Sequence, residues 1–111
     1  MKPKRGDIWL VNFDPTVGGE IKKTRPALVI SNNHNNQYSL TVTLLPITDK
    51  GHDVYPFEVY LSKDTQGLSK ESKIKCQQVR TVDKRRLIKL LGKIDEAVLD
   101  QVHEALNIIL P

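Results

Sequence analysis

Short runs of apolar and β-branched residues, each closed by a turn-forming cluster, fill most of this chain. Ile8 to Phe13 has the composition of a strand and stops at Asp14-Pro15, a pair that breaks extended structure. Residues Thr16 to Thr24 include Gly18, Gly19, Lys22 and Lys23 and little to bury, which predicts a mobile basic loop. Pro26 to Ser31 is a second extended run, ended by the polar stretch Asn32 to Gln37. Leu40 to Ile47 follows, with Thr41, Val42 and Thr43 favouring a strand. A turn is expected at Thr48-Asp49-Lys50-Gly51, then a strand around Phe57 to Leu61. The polar stretch Ser62 to Ser72 leads into an extended segment from Lys73 to Arg80, with Ile74, Cys76 and Val79 facing inward. Leu87 to Ile94 makes a further short strand, although its period is ambiguous. Such closely spaced strands predict a mainly β domain, a small antiparallel barrel. Only the end of the chain reads as helix. Asp95 can cap it, and Val98, Leu99, Val102, Ala105, Leu106 and Ile109 recur on one face. That face has to dock on the barrel or on a second subunit.

The 111 residues suit one domain, with the barrel at about 5–94 and the helix at about 95–109. Hydrophobic residues make up 39% and charged residues 27%, which argues against wholesale disorder. The longest apolar runs, Ala27 to Ile30 and Ile108 to Leu110, are far too short to span a bilayer. The start, MKPKRGDIWL, lacks the apolar core of a secretory signal. The single Cys76 cannot form an internal disulfide and fits a reducing cytoplasm.

Charge sharpens the picture. The formal net charge is +4, and nine basic residues against two acidic ones crowd Lys70 to Lys93. The final segment, Asp95 to Pro111, has four acidic residues and no Lys or Arg. This distribution favours a polyanion or an acidic protein segment as partner.

Familiar catalytic signatures are missing: there is no glycine-rich phosphate loop, no G-x-S-x-G elbow and no H-E-x-x-H pair. His34, His52 and His103 lack metal-ligand spacing, so no metal or other cofactor is expected. Cys76 has Lys75 beside it but no histidine partner in sequence, and reads as a buried structural thiol. Arg25 lies between the basic loop and an apolar strand, immediately before Pro26. Its side chain therefore leaves a conformationally restricted backbone. Guanidinium suits bidentate phosphate binding, although a strand-end arginine is usually ordinary surface charge. Thr48 ends an apolar strand at a turn, where its hydroxyl could enter a cleft or satisfy local backbone.

The series RGDIWLVNFDPTVGGE, KTRPALVIS, PITD and CQQVRTVDKRRL resembles the MazF/PemK group of toxin endoribonucleases, from Arg5 to about Leu87. The resemblance implies an SH3-like barrel, a homodimer, and metal-independent cleavage of single-stranded RNA at a short motif. It also implies a cognate MazE-like antitoxin whose acidic C-terminal tail covers the RNA groove. The family's catalytic Arg falls on Arg25 and its Thr on Thr48, and Gln78 matches a substrate-side position. The loop containing Thr16, Val17 and Gly18 matches a segment that shifts between RNA-bound and antitoxin-bound states. One departure concerns the PemK-like branch, which pairs an Arg and an Asp around the fifth-strand Cys. Lys75 and Gln77 stand there in this chain, which favours the Arg/Thr arrangement.

RNA supplies its own nucleophile, the 2′-hydroxyl. Attack on the adjacent phosphorus would leave a 2′,3′-cyclic phosphate and a 5′-hydroxyl, with Arg25 and Thr48 binding the scissile phosphate. Guanidinium holds its proton too firmly to be a good base, so its expected role is electrostatic, and His52, a water or a positioned hydroxyl remain the alternatives for the base. Lys22 and Lys23 are expected on backbone phosphates, and the amides of the loop around Asn32 to Asn36, Asn32 and Asn33 among them, with the loop containing His52, on base edges. Two other functions fit the barrel: a toxin that poisons DNA gyrase, and a non-catalytic nucleic-acid binder. The gyrase type ends in a Trp-Gly-Ile tail, whereas this chain ends Ile109-Leu110-Pro111 and has its only Trp at position 9.

Overall fold

The first apolar run becomes a strand, β1 (Asp7–Asn12), which pairs antiparallel with β2 (Thr24–Val29). The computed structural model describes residues 2–13 and 24–111. After a short helix, α1 (Asn33–Tyr38), come β3 (Thr41–Asp49), β4 (Glu58–Leu61), β5 (Ser72–Lys75) and β6 (Arg80–Asp83). A single 3-10 turn at Lys84–Arg86 leads into β7 (Leu87–Lys93), and the chain closes with α2 (Glu96–Ile109). The seven strands form one antiparallel sheet in the order β4-β5-β3-β2-β1-β7, with β6 on β3 as well.

β3 is the strand on which this order turns. One edge meets β2 through Ala27↔Pro46, Leu28↔Leu45 and Val29↔Leu44. Its other edge is shared end to end, with β6 along Thr41 to Leu44 and β5 along Ile47 to Asp49. The segment expected to run extended from Lys73 to Arg80 is therefore two strands with a turn between them, in which Gln78 N–H donates to the Lys75 carbonyl at 3.0 Å. Ile74 and Cys76 face inward as expected, but the turn leaves Val79 exposed. Thr48 and Asp49, expected in a turn, are the last residues of β3.

Because strand side chains alternate in direction, the central strands bury both faces. Ile8, Leu28, Leu45 and Ile47 line one core with Ile74, Cys76, Val102 and Ala105. Trp9, Val11, Ala27, Val29, Val42 and Leu44 line the other with Val82 and Leu87. The terminal helix covers the first of these. Asp95 caps it by accepting from Val98 N–H at 2.9 Å, and Val98, Leu99, Leu106 and Ile109 pack around Val102 and Ala105.

Among the described residues, the strand path stays open: β4 and β7 are its two ends and do not pair. Side-on packing fills this seam instead of a ladder. The 62–71 connection lies so close to β7 that a Cβ on Gly92 would come within 2.3 Å of the Gln66 carbonyl oxygen. The polar stretch after β2 also departs from expectation, since it is α1 and not a loop. Asn32 Oδ1 caps it by accepting from Asn35 N–H at 2.8 Å, and the buried Asn36 donates to the Ser31 carbonyl at 2.8 Å. Asparagine has low helix propensity, and these local side-chain bonds supply what propensity does not. No helix among the described residues is long and apolar enough to cross a membrane.

The close approach at the seam predicts that Gly92→Ala forces backbone movement and lowers stability by about 1–3 kcal/mol, the range for overpacking. Urea denaturation checks this as a lowered midpoint at unchanged slope.

Candidate functional site

β2 and β3 bring the two sequence-selected residues to the same end of the sheet. Their register fixes Ala27 opposite Pro46, and continuing it by two residues sets Arg25 opposite Thr48. Pro26 and Pro46 lack N–H donors, and the β2–β3 ladder stops at the Ala27–Pro46 pair, while β2 stays paired with β1 to Thr24 and β3 with β5 to Asp49. Arg25 is exposed and Thr48 is half-buried. On its other side Arg25 pairs with Val11 of β1.

The row continues across the sheet. Thr48 pairs with Lys73 on β5, and Lys73 pairs with Tyr60 on β4. Arg25, Thr48, Lys73 and Tyr60 thus occupy equivalent positions on four neighbouring strands, on the face opposite Ile47 and Ile74. The Thr48 hydroxyl donates to the Asp49 carbonyl at 3.2 Å, so it satisfies local backbone and would have to rotate to serve an anionic group, whereas the exposed Arg25 guanidinium can offer such a group several donors.

Next to this row lies a carboxylate that sequence reading did not single out. Glu58 opens β4 with its side chain only 1% exposed. Lys73 Nζ is 3.1 Å from Oε1 and Lys75 Nζ is 3.8 Å from Oε2. Gln77 Nε2 donates to Oε2 at 2.9 Å, and Tyr55 N–H donates to Oε1 at 3.1 Å. Burial opposes the charged form, but these donors and the Lys73 charge outweigh it and hold the carboxyl below its ordinary range. Lys75 and Gln77, the positions of the PemK-like pair, are therefore both engaged by a carboxylate from the neighbouring strand. The signal was present in the alternation: Lys73 and Lys75 flank Ile74, and Glu58 precedes the inward Val59. Only the β4–β5 register, Glu58↔Lys75, joins them.

The other expected substrate contacts are dispersed. His52 is exposed in the 50–57 connection that leaves β3 just after Thr48. Gln78 is exposed in the β5–β6 turn. Asn32 and Asn33 sit at the opposite end of the β2–β3 pair from Arg25, roughly 15–20 Å away by strand rise. Asn32 Oδ1 caps α1, and Asn33 Oδ1 accepts from Arg5 N–H at 2.8 Å. Asn33 also borders a cleft of about 540 Å³ with Lys2, Lys4 and Lys84, so that end of the sheet is basic too. Thr16, Val17, Gly18, Lys22 and Lys23 lie outside the described residues. Among the described residues, no group of three His, Cys, Asp or Glu side chains is placed to hold a metal ion.

A small, mainly antiparallel β domain with a C-terminal helix and a basic strand end is the class that fold and site define. Residues 4–110 match the PemK-like, MazF-like toxins of type II toxin–antitoxin systems, and the chain belongs to that family. Endoribonuclease MazF9 of Mycobacterium tuberculosis is 38% identical over 110 residues, covering 95% of this chain and 93% of that protein. Endoribonuclease EndoA of Bacillus subtilis is 36% identical over 108 residues, covering 96% and 93%. One MazE–MazF structure from Deinococcus radiodurans (Form-II) superposes with a TM-score of 0.85 at 31% identity, over 99% of this chain and 96% of that one.

Two measurements follow from the site's ionisable groups. Below about pH 4.3 the unfolded chain takes up a proton at Glu58 before the native protein does. Stability should therefore decline as pH falls from there through the lower native value, and Glu58→Gln should remove this part of the acid dependence in urea titrations. The Cys76 thiol is pushed up to about 11 by burial and then by the Glu58 charge. It should resist alkylation at pH 8 in the native protein and react readily once denatured.

Proposed function

We propose that this protein is a toxin endoribonuclease that cuts single-stranded RNA at a short sequence motif and is neutralised by a cognate antitoxin. The observation that carries this reading is the β2–β3 register, which, continued two residues past its last pair, brings the exposed Arg25 and the half-buried Thr48 to one strand end. Membership of the toxin family and the endoribonuclease names of its relatives support it. The MazE–MazF structure of the Deinococcus relative supports an antitoxin partner.

The chemistry follows from what such a pair can donate. The 2′-hydroxyl gives its proton to a base (His52, a water or a positioned hydroxyl) and bonds to the adjacent phosphorus as the P–O5′ bond breaks, and the departing 5′-oxygen takes up a proton. Negative charge grows on the non-bridging oxygens, where Arg25 neutralises it and the Thr48 hydroxyl, turned from the Asp49 carbonyl, adds a donor. Products with 2′,3′-cyclic phosphate and 5′-hydroxyl ends result, without a metal. Lys22 and Lys23, with the loop of Thr16, Val17 and Gly18, hold the flanking backbone, while Gln78 and His52 meet bases. The active form is a homodimer. The acidic tail of a MazE-like antitoxin competes for the same basic surface.

Incubating antitoxin-free protein with a long, structure-poor RNA in excess EDTA, beside Arg25→Ala, tests this. Cuts at one motif with cyclic-phosphate ends are expected, and the variant should lose about a hundred- to a thousandfold in rate. Because Arg25 is exposed, its removal should change stability by no more than about 0.5 kcal/mol. RNA binding without cleavage would select a non-catalytic role. Inhibition of DNA gyrase with no effect on RNA would select the gyrase-poison role. Cleavage of an all-2′-deoxy substrate would overturn the mechanism.

A further inference from the structure

The 50–57 connection carries His52 and the exposed Tyr55 past the end of β3. Loops that leave a strand end usually owe their conformation to a few anchors, and this one has two from a single ion pair. Lys73 starts opposite Thr48 on the β3–β5 ladder. Its Nζ reaches the Asp53 carbonyl at 2.8 Å and lies 5.8 Å from the centre of the Tyr55 ring. Glu58 Oε1 holds that ammonium at 3.1 Å and also accepts from Tyr55 N–H at 3.1 Å. The Tyr55 carbonyl in turn accepts from Glu58 N–H at 2.8 Å. The Tyr55 ring stacks on Phe57, with centroids 5.4 Å apart and planes 12° from parallel.

We propose that Glu58 and Lys73 are a positioning pair that fixes the 50–57 loop beside Thr48 and so sets which bases the site accepts. The proposal rests on the endoribonuclease reading above. An ion pair serving stability alone could lie anywhere in the sheet. This one bonds the loop backbone at residues 53 and 55 from a strand position directly across from Thr48. The pair is covered, with side-chain exposures of 12% for Lys73 and 1% for Glu58, so solvent screens it little and its geometry is held. Tyr55 stays 51% exposed. With one ring face stacked on Phe57, the exposed remainder of a held aromatic ring, on the loop that leaves β3 just after Thr48, is what a splayed RNA base would pack against. The position of that ring depends on Lys73 at one anchor and Glu58 at the other.

Lys73→Met keeps the aliphatic stem and removes the donors, while Glu58 retains Lys75, Gln77 and Tyr55 N–H. Lys73→Arg keeps both charge and donors. Each is assayed with an RNA oligonucleotide bearing the preferred motif and with a panel of single-base variants, under conditions where KM reports binding. For Lys73→Met, KM for the preferred motif should rise and its preference over the variants should fall, each by about tenfold or more. The turnover number should change by less than about threefold, and Lys73→Arg should restore selectivity. Hydrogen exchange at residues 53–57 should quicken in Lys73→Met and return in Lys73→Arg. If Lys73→Met does not fold, Glu58→Gln takes the same two readouts. A folded variant with unchanged selectivity, or with unchanged exchange in this loop, overturns the proposal. An RNA-inactive native protein overturns the endoribonuclease reading and the selectivity role with it, while the exchange result still decides whether the pair holds the loop.

Discussion

The nine residues of β3 bond to three other strands, and the rest of the molecule is arranged around satisfying that backbone. A buried strand cannot leave its N–H and C=O groups unpaired. β2 serves one edge, while β6 and β5 divide the other between them. That division forces the turn at residues 76–79 and carries β5, with β4 behind it, away from β6. Strand alternation then sends the buried aliphatic side chains of β3 to one of two cores. Leu45 and Ile47 join the core under α2, and Val42 and Leu44 join the other. Thr48, two residues beyond the last β2 pair, is left facing Arg25 and Lys73.

Where β4 and β7 fail to meet, packing takes over from hydrogen bonding. The Gln66–Gly92 approach and the apolar face of α2 close the structure without a ladder. A seam of this kind depends on shape complementarity, so one added methyl matters more there than in a hydrogen-bonded pair. The helix is amphipathic because one of its faces has a core to cover, and its acidic residues remain on the outside.

Buried charge is the other organising element. An ion pair removed from water gains little net stability over an apolar pair of similar volume, but losing one partner costs about 3–5 kcal/mol. Glu58 avoids that penalty through donors from two neighbouring elements: Lys73, Lys75 and Gln77 from β5 and the turn after it, and Tyr55 from the preceding loop. A hydrophobic pair would fill the same space without directional bonds to the loop. Keeping the charge ties the conformation of residues 53–57 to the strand that flanks Thr48.

Much of the strand inventory was legible in the sequence, because burial leaves an apolar pattern: strands covered on both faces read as short continuous apolar, β-branched runs bounded by turn residues. The terminal helix was legible for the same reason at a period of three to four, and Asp95 marked its start. Arg25 and Thr48 were singled out by their context at strand ends and by family resemblance. Their adjacency needed the β2–β3 register, a long-range property that no local window contains. The split of the Lys73–Arg80 segment was hidden because only the competition of two strands for one edge of β3 requires it. α1 was hidden because its stability comes from Asn32 and Asn36 side-chain bonds and not from helix propensity. The Glu58 cluster joins residues nineteen positions apart in the chain, and no sequence spacing encodes that contact. The sequence by itself determined which residues could be buried and which carried charge. The tertiary structure decided which charges met, since pairing across strands depends on register, and register is set by how all the strands share their edges.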